Sequence, residues 1–279
     1  MFESNNGMLR VAILDLYEGR PNLGMRCIRE ILNQWSDFHH VEVIRDEFDV
    51  RLKNEIPDLS YDVYISSGGP GSPMESAGSE WETAYFRWLN DVENWNRHNS
   101  PKKHVFFICH SFQLVCRHYG IGLVTKRKST AFGVFPVHVL PAGQADPVLR
   151  NLNDPFYVVD SRDWQVIHPE LEKLTMLGAE MLCIEKYRPH VPYPQAVMAV
   201  RFNPWMIGTQ FHPEADAIGM TMYLQTEEKK NIVIEEHGEE KWKSMIEHLN
   251  DPDKIMRTYG YVLPNFLDEA VKELQAVSL

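Results

Sequence analysis

The first part of the chain alternates short apolar runs with segments whose apolar residues recur at helical spacing. The strand-like runs are RVAILDLY (10–17), VEVIRDEF (41–48), YDVYISSGG (61–69) and KHVFFIC (103–109). The segments with helical spacing are 24–35, 79–92 and 111–120. This alternation predicts an α/β fold, in which a doubly wound, mainly parallel sheet carries helices on both faces.

The second part of the chain has a different pattern. From about residue 121 to 212 it is rich in strand-like segments, whereas 218–279 is rich in Glu, Lys and Met with helical periodicity. Gly238, Pro252 and Pro264 break this periodicity into shorter pieces. We therefore predict one domain over residues 1–217 and a helical extension over 218–279 that packs on the same domain, because its apolar stripes need a surface that buries them.

The composition is that of an ordinary globular protein with an acidic balance. Of the 279 residues, 44% are hydrophobic and 24% are charged, and the formal net charge is −11. Because binding to phosphates needs a basic face, this charge argues against nucleic acid as a partner. No apolar stretch approaches the roughly 18 residues of a membrane span, and no signal peptide is visible. We expect a cytoplasmic protein without a membrane partner.

The chain has four cysteines, Cys27, Cys109, Cys116 and Cys183, and no CxxC pair. Four cysteines in a chain of this length do not make a disulfide framework, and a structural zinc site needs closer spacing. The histidines show no metal-ligand spacing either. We expect neither a metal nor another cofactor.

One cysteine follows a strand directly. In FFICHSFQLV (106–115), the apolar run ends on Cys109 and helical spacing begins after it. A thiol at a helix N-terminus is exposed to the positive end of the backbone dipole, which favours the nucleophilic thiolate. A small hydrophobic residue buried in the core is the alternative, and this stretch alone leaves both open.

Two further stretches carry candidate chemistry. In GTQFHPEAD (208–216), His212 and Glu214 lie two residues apart at the end of a strand, so that the carboxylate is able to orient the imidazole of a general base. In SSGGPGSP (66–73), glycines after a strand let backbone N–H groups approach a ligand, as an oxyanion hole requires. Each has a plainer alternative, a turn after a strand; a phosphate loop is excluded because GxxxxGK[ST] is absent.

The three stretches, taken in their order along the chain, resemble motifs of the class I glutamine amidotransferase family. The chain has Gly-Gly-Pro at 68–70, Cys109 with Gln113 four residues later, and Gln-Phe-His-Pro-Glu at 210–214. The similarity runs from about residue 10 to 216, and the first and last motifs are most similar to the GMP-synthase-type members. It implies a flavodoxin-like fold and a stand-alone amidotransferase domain.

The resemblance also implies a role for each residue of these motifs. Cys109 attacks the side-chain amide carbon of glutamine, His212 shuttles the proton and Glu214 orients it. Ammonia leaves, and water hydrolyses the γ-glutamyl thioester to glutamate. The remaining implied residues form the oxyanion hole through their N–H groups, Gly69 and His110, or hold the glutamine: Gly71, Gln113 and the backbone of Asp163 and Trp164.

The chain departs from the family pattern at three positions. Phe107 and Ser111 replace the two glycines that flank the cysteine in the family; serine is small enough to fit, whereas Phe107 needs room made for it. Arg162 stands where the family has a histidine, and an arginine there is able to bind a substrate carboxylate bidentately. His110 is either an extra acid–base group or contributes only its N–H.

Three functions remain open on this basis. The first is amide hydrolysis of glutamine, with ammonia passed to a separate synthetase subunit or lost, and with a homodimer as another possible assembly. The second is hydrolysis of γ-glutamyl peptides through the same thioester, which Arg162 favours. The third is a catalytically idle amidotransferase-like binding module. The replacement of the two family glycines around Cys109 by Phe107 and Ser111 favours this function.

Overall fold

The computed structural model describes residues 8–190, 192–251 and 254–277, and its strands form a single sheet. The strands are β1 (Met8–Asp15), β2 (Glu42–Asp49), β3 (Val63–Ser66), β4 (His104–Ile108), β5 (Leu123–Val139), β6 (Phe156–Ile167), β7 (Glu180–Glu185), β8 (Val197–Asn203) and β9 (Met206–Thr209). Their order in the sheet is β2-β1-β3-β4-β9-β8-β7-β5-β6. The part from β2 to β9 is parallel, and the part from β9 to β6 is antiparallel.

Helices cover both faces of this sheet. They are α1 (Gly24–His39), α2 (Val50–Lys53), α3 (Glu80–His98), α4 (His110–Tyr119), α5 (Pro141–Ala145), α6 (Leu171–Leu177), α7 (Ala217–Leu224), α8 (Glu227–His237), α9 (Glu239–Asn250) and α10 (Ile255–Val277). One core cluster lies between the sheet and α1 with α10, and a second lies between the sheet and α3 with α4. The predicted α/β, flavodoxin-like fold is confirmed; the short helices α2, α5 and α6 were not predicted from the sequence.

The predicted start of α3 and the predicted end of α4 are both found in the structure. The Ser79 hydroxyl caps α3 by accepting a hydrogen bond from the Glu82 N–H, and α3 then continues to His98, beyond the expected end. Gly120 ends α4 in the left-handed region with φ of 65°. A glycine suits this position because a Cβ there would be strained.

The central strands β3, β4 and β9 are buried along their whole length, which explains their apolar runs. Their register sets where they end. Ser66 on β3 is opposite Phe107 on β4, and Ile108 on β4 is opposite Thr209 on β9. The segments that follow these strands therefore emerge side by side at the carboxyl edge of the sheet, the usual position of a site in such folds.

The C-terminal extension packs on the rest of the chain. Side chains of α7, α8 and α9 form a third apolar cluster with β5 and β6, and α10 contributes to the main core. Gly238 separates α8 from α9 as expected, but Pro264 lies inside α10 and does not end it. A helix-interior proline costs about 3 kcal/mol, and burial of Leu263, Phe266 and Leu267, worth roughly 1.5–3 kcal/mol each, outweighs this cost. Pro252 lies outside the described residues.

Candidate active site

Cys109 occupies a sharp turn between β4 and α4. It is the N-cap residue of α4, with φ of 48° and ψ of −94°, a conformation that non-glycine residues rarely adopt. Its N–H donates to the Thr209 carbonyl at 2.8 Å, which holds the turn against the end of β9. The residue is 4% exposed and lines a cavity of about 750 Å³. The thiol thus lies at a helix start and opens onto a cavity.

The two residues that replace the family glycines around Cys109 are both accommodated. The Ser111 hydroxyl accepts from the Ile108 N–H and donates to the Ser66 carbonyl, each at 2.8 Å, and so ties the turn to β3. Phe107 is fully buried against Phe202, with ring centroids 5.8 Å apart. The room for it comes from Gly208 on β9, where a Cβ would lie 3.1 Å from Phe107 Cβ.

His212 and Glu214 form a buried pair beside Cys109. The His212 N–H of the backbone donates to the Val159 carbonyl on β6 at 2.9 Å, which fixes the chain as it leaves β9. The His212 Nδ1–H donates to Glu214 Oε1 at 2.8 Å, leaving Nε2 as the nitrogen available for proton exchange. Glu214 is 1% exposed. It lies beside the start of α1, since a Cβ at Gly24 would be 3.1 Å from Glu214 Oε1, and a helix N-terminus favours a negative charge.

Electrostatics in the pair favour a protonated imidazole. Burial by itself lowers the pKa of His212, but the charges of Glu214 and of the Cys109 thiolate outweigh burial and raise this pKa well above its ordinary value. A protonated His212 in turn stabilises the negative sulfur of Cys109. The arrangement therefore places a protonated imidazole next to the sulfur of Cys109.

The glycine loop after β3 approaches this pair closely. A Cβ at Gly68 would lie 2.9 Å from His212 Cε1 and 3.7 Å from Cys109 Cβ, and a Cβ at Gly69 would overlap the Leu16 carbonyl oxygen. Arg51 holds the loop from behind by donating to the Pro70 carbonyl at 2.7 Å. Only residues without a side chain fit at these two positions, so the loop presents bare backbone to the cavity.

His110 has an N–H that α4 itself leaves unsatisfied, because the residue is the first of the helix. Its side chain is 2% exposed, and Nε2 has no hydrogen-bond partner among the described residues. Burial, together with the positive charges of Arg51 and Arg117, lowers the pKa of His110 to about 3. The imidazole is therefore neutral at physiological pH.

Gln113 and Trp164 both line the cavity and are joined by a hydrogen bond. Gln113 Nε2 donates to the Trp164 carbonyl at 3.1 Å and to Gln210 Oε1 at 3.2 Å. Asp163 lines the same cavity, and its carboxylate accepts from the Thr130 hydroxyl at 2.5 Å. Gly71 also lines the cavity, with φ of 87°. The implied glutamine-holding residues are thus all adjacent to one space.

Arg162 also lines the cavity, but its guanidinium is bound within the chain. Arg162 Nε donates to both oxygens of Asp160, at 2.8 and 2.9 Å, and Nη2 lies 3.6 Å from Glu185 Oε1. The side chain is 1% exposed. The carboxylate contact expected of Arg162 from the sequence is therefore made with Asp160. This ion pair also explains how a charged residue is tolerated at a buried position.

A family comparison decides the classification. The family model for class-I glutamine amidotransferases matches residues 22–228. The chain belongs to this family. No curated protein sequence matches the chain.

Solved structures of amidotransferases share the fold of this family member. A glutamine amidotransferase from Thermotoga maritima is 16% identical with a TM-score of 0.67, over 95% of this chain and 98% of that one. One from Methylobacillus flagellatus is 16% identical with a TM-score of 0.62, over 97% and 96%. The glutaminase domain of Trypanosoma brucei CTPS, solved with bound acivicin, is 15% identical with a TM-score of 0.56, over 95% and 94%.

Two further residues lie close to Cys109, and the sequence analysis assigned neither of them to the site. Tyr17, at the carboxyl end of β1, places its hydroxyl close to Gly24 and Gly68, and burial together with the charges of Glu214 and Cys109 raises the pKa of this hydroxyl well above its ordinary value. Gln210 is fully buried against Cys109. Tyr17 could have been found because it follows a parallel strand, and Gln210 because it belongs to the Gln-Phe-His-Pro-Glu motif.

The described residues contain no group of three or more His, Cys, Asp or Glu side chains placed to hold a metal ion. In the same part of the chain, no helix is long and apolar enough to cross a membrane.

Proposed function

We propose that this family member hydrolyses the side-chain amide of glutamine, or of a related γ-glutamyl compound, with Cys109 as nucleophile and His212 and Glu214 as its acid–base pair. The observation that carries the proposal is the 2.8 Å contact between His212 Nδ1 and Glu214 Oε1 beside a cysteine in a strained turn. A nucleophile, a base and an orienting carboxylate at one cavity are what amide hydrolysis through a thioester requires.

The reaction begins with the thiolate–imidazolium pair. The Cys109 sulfur forms a bond to the amide carbon, and the carbonyl oxygen takes the negative charge. His212 donates its proton to the amide nitrogen, so that the C–N bond breaks and ammonia leaves. A water molecule then gives a proton to His212 and attacks the γ-glutamyl thioester; the C–S bond breaks, which releases glutamate and restores the thiolate–imidazolium pair.

The N–H groups of Gly69 and His110 stabilise the negative oxygen. Gly69 donates no other hydrogen bond among the described residues, and His110 begins a helix whose dipole favours a negative charge. Gly71, Gln113 and the backbone of Asp163 and Trp164 hold the rest of the glutamine. Gln113 uses both hydrogens of its amide nitrogen within the protein, so its carbonyl oxygen is the atom that accepts from the substrate ammonium group.

The test is to incubate the pure protein with glutamine and to measure glutamate and ammonia. Cys109→Ser is the control for contaminating glutaminase, and Cys183→Ser is the matched control for loss of a buried cysteine away from the cavity. Equal release of glutamate and ammonia that depends on Cys109 supports the proposal. Glutamate formation that survives Cys109→Ser would refute it.

A second candidate, hydrolysis of γ-glutamyl peptides, is favoured by the size and rim of the cavity. Its volume of about 750 Å³ is within the range of roughly 300–1,000 Å³ typical of pockets for ligands much larger than glutamine. The segment 20–24 lines one side, and Met220 on α7 lines another. Arg20 is exposed there and forms no ion pair within the described ranges, so it is available to a carboxylate on the leaving group.

Relative kcat/KM for glutamine and for γ-glutamyl peptides separates the two candidates. In the peptide case, Arg20→Gln should lower kcat/KM for peptides about tenfold and leave that for glutamine unchanged, because only peptides carry a carboxylate beyond the scissile bond. Arg87→Gln, on the exposed face of α3, is the matched control. If glutamine is preferred and Arg20→Gln changes neither value, glutamine is the substrate.

For the glutamine reaction, we propose that a separate synthetase subunit uses the ammonia, as in the GMP-synthase-type members that the motifs resemble. Ile218 and Met222 are exposed on α7, the helix whose Met220 lines the cavity, and they offer an apolar surface for such a contact or for a homodimer.

A further inference from the structure

The sulfur of Cys109 has a neighbour other than His212. Gln210 is fully buried, and its Nε2 lies 3.8 Å from Cys109 Sγ, within hydrogen-bond range for sulfur. Gln210 follows β9 directly, as Cys109 follows β4, and the two strands are paired in parallel register. The backbone N–H of Gln210 donates to the Met198 carbonyl at 2.8 Å, which fixes the start of the side chain.

The orientation of the Gln210 amide is determined by Gln113. Gln113 Nε2 donates to Gln210 Oε1 at 3.2 Å and to the Trp164 carbonyl at 3.1 Å, so both of its hydrogens are used. Arg162 Nη1 donates to the same Trp164 carbonyl at 3.3 Å. Since Gln210 must present its oxygen to Gln113, its NH₂ group is left facing the sulfur.

We propose that Gln210 stabilises the thiolate of Cys109 by donating a hydrogen bond to the sulfur, with Gln113 as the residue that positions it. A donor interacts more strongly with a negative sulfur than with a neutral thiol, so it favours the ionised form. A buried thiolate needs such partners because it has lost its water. The role rests on the nucleophile of the proposed function, but it is tested on the thiol itself.

Several titratable and charged groups face the same sulfur. Tyr17 after β1, Arg162 on β6 and His212 after β9 lie within electrostatic range of Cys109. Cys27, His110, Asp163 and Glu214 line the cavity around it. The variants below change none of these groups, but Gln210→Glu adds a carboxylate next to the sulfur. A change in the pH profile is therefore assigned to the Gln210 amide only when Gln210→Met shows it.

The experiment measures the rate at which iodoacetamide alkylates Cys109 in the full chain, from about pH 5 to about pH 10. In this reaction the thiolate sulfur forms a bond to carbon and iodide leaves. Gln210→Met keeps the length of the side chain and removes the donor. We expect alkylation near pH 7 to slow about tenfold, the midpoint of the profile to move to higher pH by about one unit, and the rates to converge at high pH.

Gln210→Glu is the second variant, because it keeps an acceptor for Gln113 but, when ionised, offers the sulfur no donor. Asn96→Leu is the matched control: it removes another buried amide, which binds the Lys103 backbone away from the cavity, and should leave alkylation unchanged. Thermal melting identifies any variant that unfolds.

Unchanged alkylation profiles in folded Gln210→Met and Gln210→Glu proteins would overturn the inference and leave Gln210 a packing residue. Another outcome is slower alkylation in Gln210→Met while the native chain hydrolyses neither glutamine nor γ-glutamyl peptides. This outcome would reject the proposed function and retain the inference.

Discussion

The backbone N–H of Cys109 donates to the carbonyl of Thr209 at 2.8 Å, although the two residues are a hundred positions apart in the sequence. Thr209 is the last residue of β9, and Ile108, the last of β4, is opposite to it. This pairing brings the turn that carries Cys109 beside the segment that carries His212 and Glu214. The candidate triad thus follows from the adjacency of two strand ends.

Cys109 should be the only cysteine that reacts with a glutamine-like electrophile such as a diazo-ketone analogue. Burial raises the pKa of Cys27, which also lines the cavity, to about 12, and it raises those of Cys116 and Cys183 well above the ordinary value. Mass spectrometry of the intact protein should show one adduct, and peptide mapping should place it on Cys109. Labelling spread over several cysteines would contradict this assignment.

Glu214→Gln should reduce turnover by roughly 10- to 1,000-fold, and His212→Ala should reduce it more, since a base that loses its orienter keeps some function. Glu214 is a cause of the raised pKa of His212, so without its charge that pKa falls. The alkaline limit of activity should therefore move to lower pH. Glu273→Gln, which alters the His104–Glu273 pair at 3.1 Å away from the cavity, is the matched control. Equal small losses of turnover in all three variants would indicate that the His212–Glu214 pair has only a structural role.

The same pKa shift links pH to stability. His212 binds its proton more tightly in the folded than in the unfolded chain. Its contribution to the free energy of unfolding is therefore complete below the ordinary histidine pKa of about 6.5 and is lost as pH rises through the folded-state pKa. Denaturant unfolding over this range should show a smaller loss for Glu214→Gln than for the native chain. An identical pH dependence for both would be inconsistent with the shift.

Gly208→Ala should destabilise the protein by about 1–3 kcal/mol. A Cβ there would lie 2.9 Å from Phe112 Cδ2 and 3.1 Å from Phe107 Cβ. Gly260→Ala is the opposite control: it lies in α10 with nothing within 4 Å, so alanine should be neutral or stabilising by up to about 1 kcal/mol. Denaturant unfolding measures both. In a Phe107→Gly background, which removes the Cβ of residue 107, the cost of Gly208→Ala should shrink, and a constant cost would argue against the proposed fit.

Arg162→Met should cost about 3–5 kcal/mol of stability, because it leaves the carboxylate of Asp160 buried without its partner. The single Nε–H of Arg162 is shared between both oxygens of Asp160, and both side chains are almost fully buried. Arg162→Met combined with Asp160→Asn should recover much of the loss. If the double variant is as unstable as the single one, the ion pair is not the reason for Arg162. A change in the preference between glutamine and γ-glutamyl peptides in the double variant would indicate an additional role in substrate choice.

Phe266→Ala in α10 should cost about 3–5 kcal/mol, because Phe266 is fully buried and packs edge-on against Phe106 on β4, with ring centroids 5.2 Å apart. Truncation after Ala217 removes this contact with the rest of α10 and should leave an aggregation-prone protein. Limited proteolysis that released residues 218–279 and left a stable, fully active body would contradict this expectation.

The sequence by itself determined the class of fold and the candidate motifs. Apolar runs mark β3, β4 and β9 because strands buried on both faces favour apolar residues on both sides of the strand, and this signal is local. The motifs around Gly68, Cys109 and His212 are also readable locally, since each follows a strand directly. The effect of Pro264 was misjudged because local propensity is outweighed by the packing of α10 on the core.

Only the tertiary structure decided which groups meet and which charges are already paired. The sequence shows that Phe107 needs room, but the room comes from Gly208 on a strand a hundred residues away. It shows an arginine at position 162, but the partner is Asp160 and not solvent or a substrate. Gln210 faces the sulfur of Cys109 because β4 and β9 are neighbours in the sheet and Gln113 fixes the amide. Contacts between distant segments depend on strand order and on the direction of side chains, and neither is encoded in any single stretch of the chain.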